Sequence, residues 1–247
     1  MPNSFRPMSA KDLLAQSERE AAARVKDGRP LHLSPQPVFD AAKDEVTVYI
    51  YDAIGGWWGI DPKTWVPEFN AIKAKNIHLR INSPGGVVFD AEAMRTAIRQ
   101  HSANVIAHVD GWAASAAAGV AIAANEVEIS DGAMFMIHNA WGWPSGNSKE
   151  LREYADLLDK VDSSIVAAYV KKTGQDEATI RDWMDKETWF TAAEALTHGF
   201  VDKIFEAEES DDAGEDAEPA DVAAMAAQFA AEKGRRERAL MLAEIGL

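Results

Sequence analysis

Residues 77–100 read IHLRINSPGGVVFDAEAMRTAIRQ. Ile77, Leu79 and Ile81 alternate with His78 and Arg80, the period of a half-buried strand. Asn82-Ser-Pro-Gly-Gly86 breaks that run, because Pro and two Gly cannot continue a strand. Beyond the break Phe89, Ala93, Met94, Ala97 and Ile98 recur at helical spacing and predict a helix over 88–100. Val105-Ile-Ala-His-Val109 is strand-like again. A strand, a crossover helix and a second strand are the unit of a parallel sheet, so this stretch points to an α/β fold.

The pattern continues in both directions. Val46-Thr-Val-Tyr-Ile-Tyr51 is rich in β-branched and aromatic residues and reads as a strand. Gly55, Gly56, Gly59 and Pro62 follow, then a helix over 64–75. Residues 113–124 (AASAAAGVAIAA) are almost all small and apolar, which suits a helix lying close on a sheet. Glu126–Ile129 and Ala133–Ile137 read as two short strands. Asn147 with Glu150 forms a capping box for a helix over 148–172, with Leu151, Tyr154, Leu158, Val161, Ile165 and Tyr169 on one stripe. Gly174 stops it. A helix over 176–185, a short one capped by Thr191 with Glu194 and ended by Gly199, and a strand over 200–205 complete the series.

Composition narrows the function. The 247 residues carry 25 Lys+Arg against 40 Asp+Glu, a formal charge of −15. That balance argues against nucleic acid, which needs a basic patch to neutralise phosphates. The charge is uneven, since residues 206–221 (EAEESDDAGEDAEPAD) hold nine acids and no base. The chain contains no Cys, so disulfides, thiolate metal sites and a cysteine nucleophile are excluded. No apolar run reaches the length of a membrane span, and the first residues lack the apolar core of a secretory signal. These features predict a soluble, cytoplasmic protein with no membrane partner. The expected organisation is an N-terminal arm over 1–44, in which Ser9 could cap a short helix through Ala23, and a catalytic domain over 45–205. A disordered acidic linker over 206–221 and a helical appendage over 222–247 follow.

Three features carry chemistry. Ser115 lies between a strand and an Ala-rich helix, where a side chain is exposed and the first helical N–H groups are unpaired and can hold an oxyanion. The bland reading is one more small residue in a tight contact. The α/β-hydrolase elbow GxSxG does not fit, because Ala113 and Ala117 stand where its glycines belong. His138 ends an apolar strand in FMIHNAWG. Imidazole is the usual base for a serine hydroxyl, although a lone His at a strand end is more often structural. His78 and His108 sit inside strand patterns, and His32, His101 and His198 look like loop or helix-end surface. The third feature, NSPGG, lets backbone approach a ligand.

In this order and spacing, NSPGG, GWAASAAAG and MIH resemble the ClpP family of serine peptidases. The later segments Glu187-Thr-Trp-Phe-Thr-Ala-Ala-Glu-Ala and His198-Gly-Phe-Val-Asp202 fit the same family, and the resemblance covers about residues 45–205. Within it, YIYDAIG, INSPGGVVFDAEA, DGWAASAAA and ETWFTAAEA look most like the ClpP-related head maturation (prohead) proteases of tailed phages and prophages. The resemblance implies a ClpP/crotonase-like β-superhelix with a long handle helix over 148–172 at ring–ring contacts, Tyr154, Leu158 and Ile165 facing another subunit. It implies Ser115 as nucleophile, His138 as general base, and the N–H groups of Gly86 and Ala116 as the oxyanion hole. Glu187 aligns with the third triad member, an Asp in the housekeeping pattern, with Asp185 and Asp182 as nearby competitors. No cofactor or metal is implied.

The function expected from the resemblance is a serine endopeptidase, acting as a homo-oligomeric ring on capsid or scaffold proteins in phage head maturation. The alternatives are a ClpP-type degradative subunit fed by an ATP-dependent unfoldase, a crotonase-like acyl-CoA enzyme, or an inactive ring or scaffold subunit. A Ser–Lys signal-peptide peptidase is disfavoured by the lack of a transmembrane segment and by the presence of a suitable His.

Overall fold

A computed structural model describes residues 37–55, 59–142 and 144–206. The elements are β1 (Val38–Asp40), β2 (Glu45–Ile50), α1 (Pro62–Ala71), β3 (Asn76–Ser83), α2 (Val88–Gln100), β4 (Asn104–Ala114), α3 (Ala116–Ala121), β5 (Glu126–Ser130) and β6 (Met134–Ile137). They continue as α4 (Ser148–Thr173), α5 (Glu177–Asp185), β7 (Thr188–Thr191), α6 (Ala192–Thr197) and β8 (Lys203–Phe205). The readings of Ser9–Ala23, His32, the acidic linker and the appendage fall outside the described residues.

One sheet runs in the order β1-β2-β3-β4-β5-β8, with β6 also on β4 and β7 on β6. The pairs from β2 through β5 to β8 are parallel, while β1–β2 and β6–β7 are antiparallel. This is the mixed α/β fold that alternating elements predict. β1 is an addition, because the sequence reading begins the sheet only at Val46. Val46, Val48, Ile50, Ile77, Leu79, Ile81, Val105, Ala107 and Val109 all point into the core. Ala91, Met94, Ala97 and Ile98 of α2 pack over them. At about 25 cal/mol per Å² this burial is the main force holding sheet and helices together.

Two elements start elsewhere than local pattern predicts. Asp61 caps α1 by accepting from Lys63 N, with Pro62 in the first turn, so the helix begins two residues early. The small-residue run over 113–124 is not all helix. Ala113 and Ala114 pair with Phe135 and Met136 instead, and the helix is only Ala116–Ala121. Tertiary pairing overrides the helical propensity of alanine here.

β4 is the long strand on which the site depends. Its first part, Ile106–Val109, pairs with β5, and its last part, Trp112–Ala114, pairs with β6. The face away from the core carries polar partners across the strands. His78 Nδ1 and His108 Nε2 lie 2.9 Å apart. Glu45 stands 3.5 Å from His78, and Glu128 stands 3.1 Å from His108. Beside them Tyr51 donates to Asp110 at 2.6 Å, and burial above all pushes its phenol up to about 12. Among the described residues no helix is long and apolar enough to cross a membrane.

Candidate active site

Strand register brings the candidate residues together. Ser115 follows β4, and its N–H donates to Met136 O at 2.9 Å, which fixes the turn against β6. Its φ is 56° and ψ −124°, a conformation that costs a non-glycine residue of order 1–3 kcal/mol. His138 is the first residue beyond β6, and its Nε2 lies 2.7 Å from Ser115 Oγ.

On the other side β7 runs antiparallel to β6, with Met136 opposite Trp189 and Ile137 opposite Thr188. The next position in that register sets Glu187 opposite His138. Glu187 Oε2 is 3.6 Å from His138 Nδ1, an ion-pair distance longer than a hydrogen bond. The His138 side chain is 9% exposed and that of Glu187 40%. Glu187 also has positive φ, 49°. The two other acids are engaged elsewhere. Asp185 accepts from Asn139 Nδ2 at 2.7 Å, and Asp182 accepts from Lys186 at 2.6 Å.

The glycine loop lies against the serine turn. A Cβ on Gly85 would stand 2.7 Å from Ala116 N and 2.8 Å from Ser115 Cβ. Ile54 N–H donates to Gly85 O at 2.8 Å, and Val87 N–H donates to Ile54 O at 2.9 Å. That bridge uses the residues flanking Gly86 and leaves the N–H of Gly86 itself outside the ladder. Ala116 is in the first turn of α3, where an N–H has no intrahelical acceptor. The close approach of Gly85 to Ser115 and Ala116 sets the glycine loop beside the serine turn.

Other predicted features lie elsewhere. His101 follows α2 and His198 packs 4.6 Å from Trp183. Trp112 and Trp189 stack at 6.1 Å on β4, which ends just before Ser115, and β7, which begins just after Glu187. Neither this pair nor the strand β7 is evident in the sequence reading. Among the described residues no group of three or more His, Asp or Glu could hold a metal ion. Ile165, expected from the resemblance to face another subunit, is half-buried and packs in part against the core of its own domain.

Residues 69–208 match the family model of the Clp protease. The chain belongs to the Clp protease family. Gly86, Ser115, Ala116, His138 and Glu187 all lie inside the matched span. The ATP-dependent Clp protease proteolytic subunit 1 of Protochlamydia amoebophila (strain UWE25) is 31% identical over 170 residues, covering 66% of this chain and 82% of that protein. The solved structure of a point mutant of ClpP1 from Listeria monocytogenes aligns with a TM-score of 0.57 at 25% identity, covering 66% of this chain and 92% of that one. Members of the Clp protease family are peptidases, and the mixed α/β fold of this chain matches theirs.

Proposed function

We propose that this Clp protease family member is a serine endopeptidase in which Ser115, His138 and Glu187 act as a triad. The contact that carries the reading is the 2.7 Å separation of His138 Nε2 and Ser115 Oγ. His138 takes the hydroxyl proton as Oγ attacks the carbonyl carbon of a peptide bond. The N–H groups of Gly86 and Ala116 stabilise the resulting oxyanion. His138 then protonates the leaving amine, and water repeats the cycle on the acyl-enzyme. Glu187 chiefly stabilises the charged form of the imidazole. Labelling of Ser115 by a fluorophosphonate tests the assignment. An unlabelled wild type, or equal labelling of Ser115→Ala, overturns it.

The substrates proposed are capsid or scaffold proteins in phage head maturation, cleaved inside a homo-oligomeric ring. The segments INSPGGVVFDAEA, DGWAASAAA and ETWFTAAEA support this reading. The segment after Phe205 is proposed to recruit the large substrate. A second reading, a degradative subunit fed by an ATP-dependent unfoldase, is supported by the relative from Protochlamydia, which is named a proteolytic subunit of an ATP-dependent Clp protease. Cleavage of a folded capsid or scaffold protein without ATP or unfoldase supports the first, and strict dependence on both supports the second.

A further inference from the structure

His138 stands just past the end of β6, where strand pairing no longer holds the chain. Behind it, Ile137 is fixed by its pairing with Thr188, and Met136 by its contacts on both β4 and β7. Ahead of it two carboxylates take over. Ala140 N–H donates to Asp162 Oδ1 at 2.7 Å, and Asn139 Nδ2 donates to Asp185 Oδ1 at 2.7 Å. The second contact is exposed and joins two side chains, so solvent competes with it. The first holds the backbone itself and is half-buried. We infer that Asp162 is a positioning residue, which fixes the turn after β6 and so keeps the His138 imidazole against Ser115. The inference rests on the serine peptidase reading.

The place of Asp162 on α4 supports this. Asp162, Ile165, Val166 and Tyr169 follow helical spacing, and Val166 and Tyr169 are buried. Asp162 therefore stands on the packing side of α4, where an apolar residue would be ordinary. Burial there raises its carboxyl above the usual carboxylate range, and the neighbouring Asp159 and Asp185 add to the rise. The Ala140 amide and Arg181 oppose it. A partly desolvated carboxylate is unfavourable without a donor, and here the donor is the chain two residues from the base. The first part of the helix, through Lys160, contains no fully buried residue, and burial begins at Val166, one turn after Asp162.

A general base must stay within hydrogen-bond reach of its proton, and misplacement by 1 Å costs about a hundredfold. Asp162→Ala should therefore lower kcat on a short peptide about tenfold to a hundredfold, with KM little changed. Fluorophosphonate labelling of Ser115 should slow in parallel. Asp162→Asn keeps an oxygen that accepts the same N–H and should restore most of the rate. In the wild-type chain the Ala140 amide should be protected from hydrogen exchange. Wild-type kcat in Asp162→Ala overturns the inference. So does equal loss in both variants, which would assign the effect to charge and not to the amide contact. An Ala140 amide exchanging as freely as an open chain also overturns it, even where Asp162→Ala does not fold. A wild type that the fluorophosphonate does not label overturns the peptidase reading and this inference together. A labelled wild type with an unaltered Asp162→Ala overturns this inference alone.

Discussion

His138 and Glu187 face one another because Ile137 pairs with Thr188 across β6 and β7, yet their charged atoms are 3.6 Å apart. The acid is thus set by register and not by proximity in sequence. At that distance it attracts an imidazolium more than it orients a neutral ring. Glu187→Gln should therefore lower kcat less than His138→Ala, which removes the proton acceptor itself. Asp185→Asn should have the smallest effect of these three, since Asp185 is engaged with Asn139. Steady-state kinetics on a short peptide decide the order. Loss in Asp185→Asn with Glu187→Gln unaffected would move the third triad member to Asp185.

Ser115→Ala removes one hydroxyl and should abolish hydrolysis, since losing a nucleophile of this kind costs about 10⁴-fold or more. The backbone strain at φ 56° remains in that variant. Glycine adopts positive φ without the Cβ penalty. Ser115→Gly should therefore be as inactive as Ser115→Ala but about 1 kcal/mol more stable. Urea unfolding of the two inactive variants measures the difference. A less stable glycine variant would show that the turn is not strained as described.

Gly86 cannot carry a side chain. Its φ is +154°, and a Cβ would stand 2.0 Å from Ile54 O, a backbone atom that cannot swing aside. Gly86→Ala must therefore open the bridge between Ile54 and the glycine loop. We expect loss of Ser115 labelling together with a drop in stability of at least ~2 kcal/mol, of the order of backbone strain plus a lost ladder contact. Labelling at the wild-type rate in Gly86→Ala would show that the loop does not form part of the site.

On α4 the structure separates two residues that the family resemblance treats alike. Leu158 is half-exposed on the first part of the helix, while Ile165 packs against the core. Leu158→Glu should leave stability within about 0.5 kcal/mol, as for other surface changes. In the proposed ring it should also break the subunit contact, with light scattering as the readout. Ile165→Glu sets a charge against the core and should lower the stability of the domain itself. A Leu158→Glu chain that still forms the wild-type assembly would place the subunit contact elsewhere.

Much of this was legible before the structure. Alternation at Ile77, Leu79 and Ile81 and helical spacing from Phe89 to Ile98 marked the β–α–β core, because both faces of those elements differ in polarity. Ser115, His138 and the glycine pair were marked by residue type at element ends. The four residues of β7 were hidden, since Thr188-Trp-Phe-Thr191 is too short to show a period and owes its strand to pairing with β6. The positive φ of Ser115 and Glu187 left no trace, as neither is glycine. Asp162 did leave one. An acid three, four and seven residues before Ile165, Val166 and Tyr169 sits on a packing face, and an acid there needs a donor.

The two stacked histidines on the outer sheet face give the last prediction. His108 Nε2 and His78 Nδ1 are 2.9 Å apart, so one nitrogen donates and the other must keep its lone pair. A second proton on the pair breaks that contact. Burial chiefly holds His108 below the ordinary imidazole range, with His78 and Arg80 acting in the same direction. Glu128 and Asp110 oppose them. The unfolded chain, titrating near pH ~6.5, therefore binds more protons than the folded one just below that pH. Stability from this site is present in full above pH ~6.5 and is lost as the pH falls from there through the lower folded value. Lys203, which pairs with Glu128 at 2.8 Å, stays charged throughout and sets no slope in this range. Thermal unfolding of the wild type should fall between about pH 7 and 5, and His108→Gln, which keeps a hydrogen-bonding group without titrating, should fall less. His101, shifted down mainly by burial and Lys73, contributes with the same sign and is common to both chains, so the difference in slope reports His108. Equal slopes in the two chains would show that His108 is not shifted on folding.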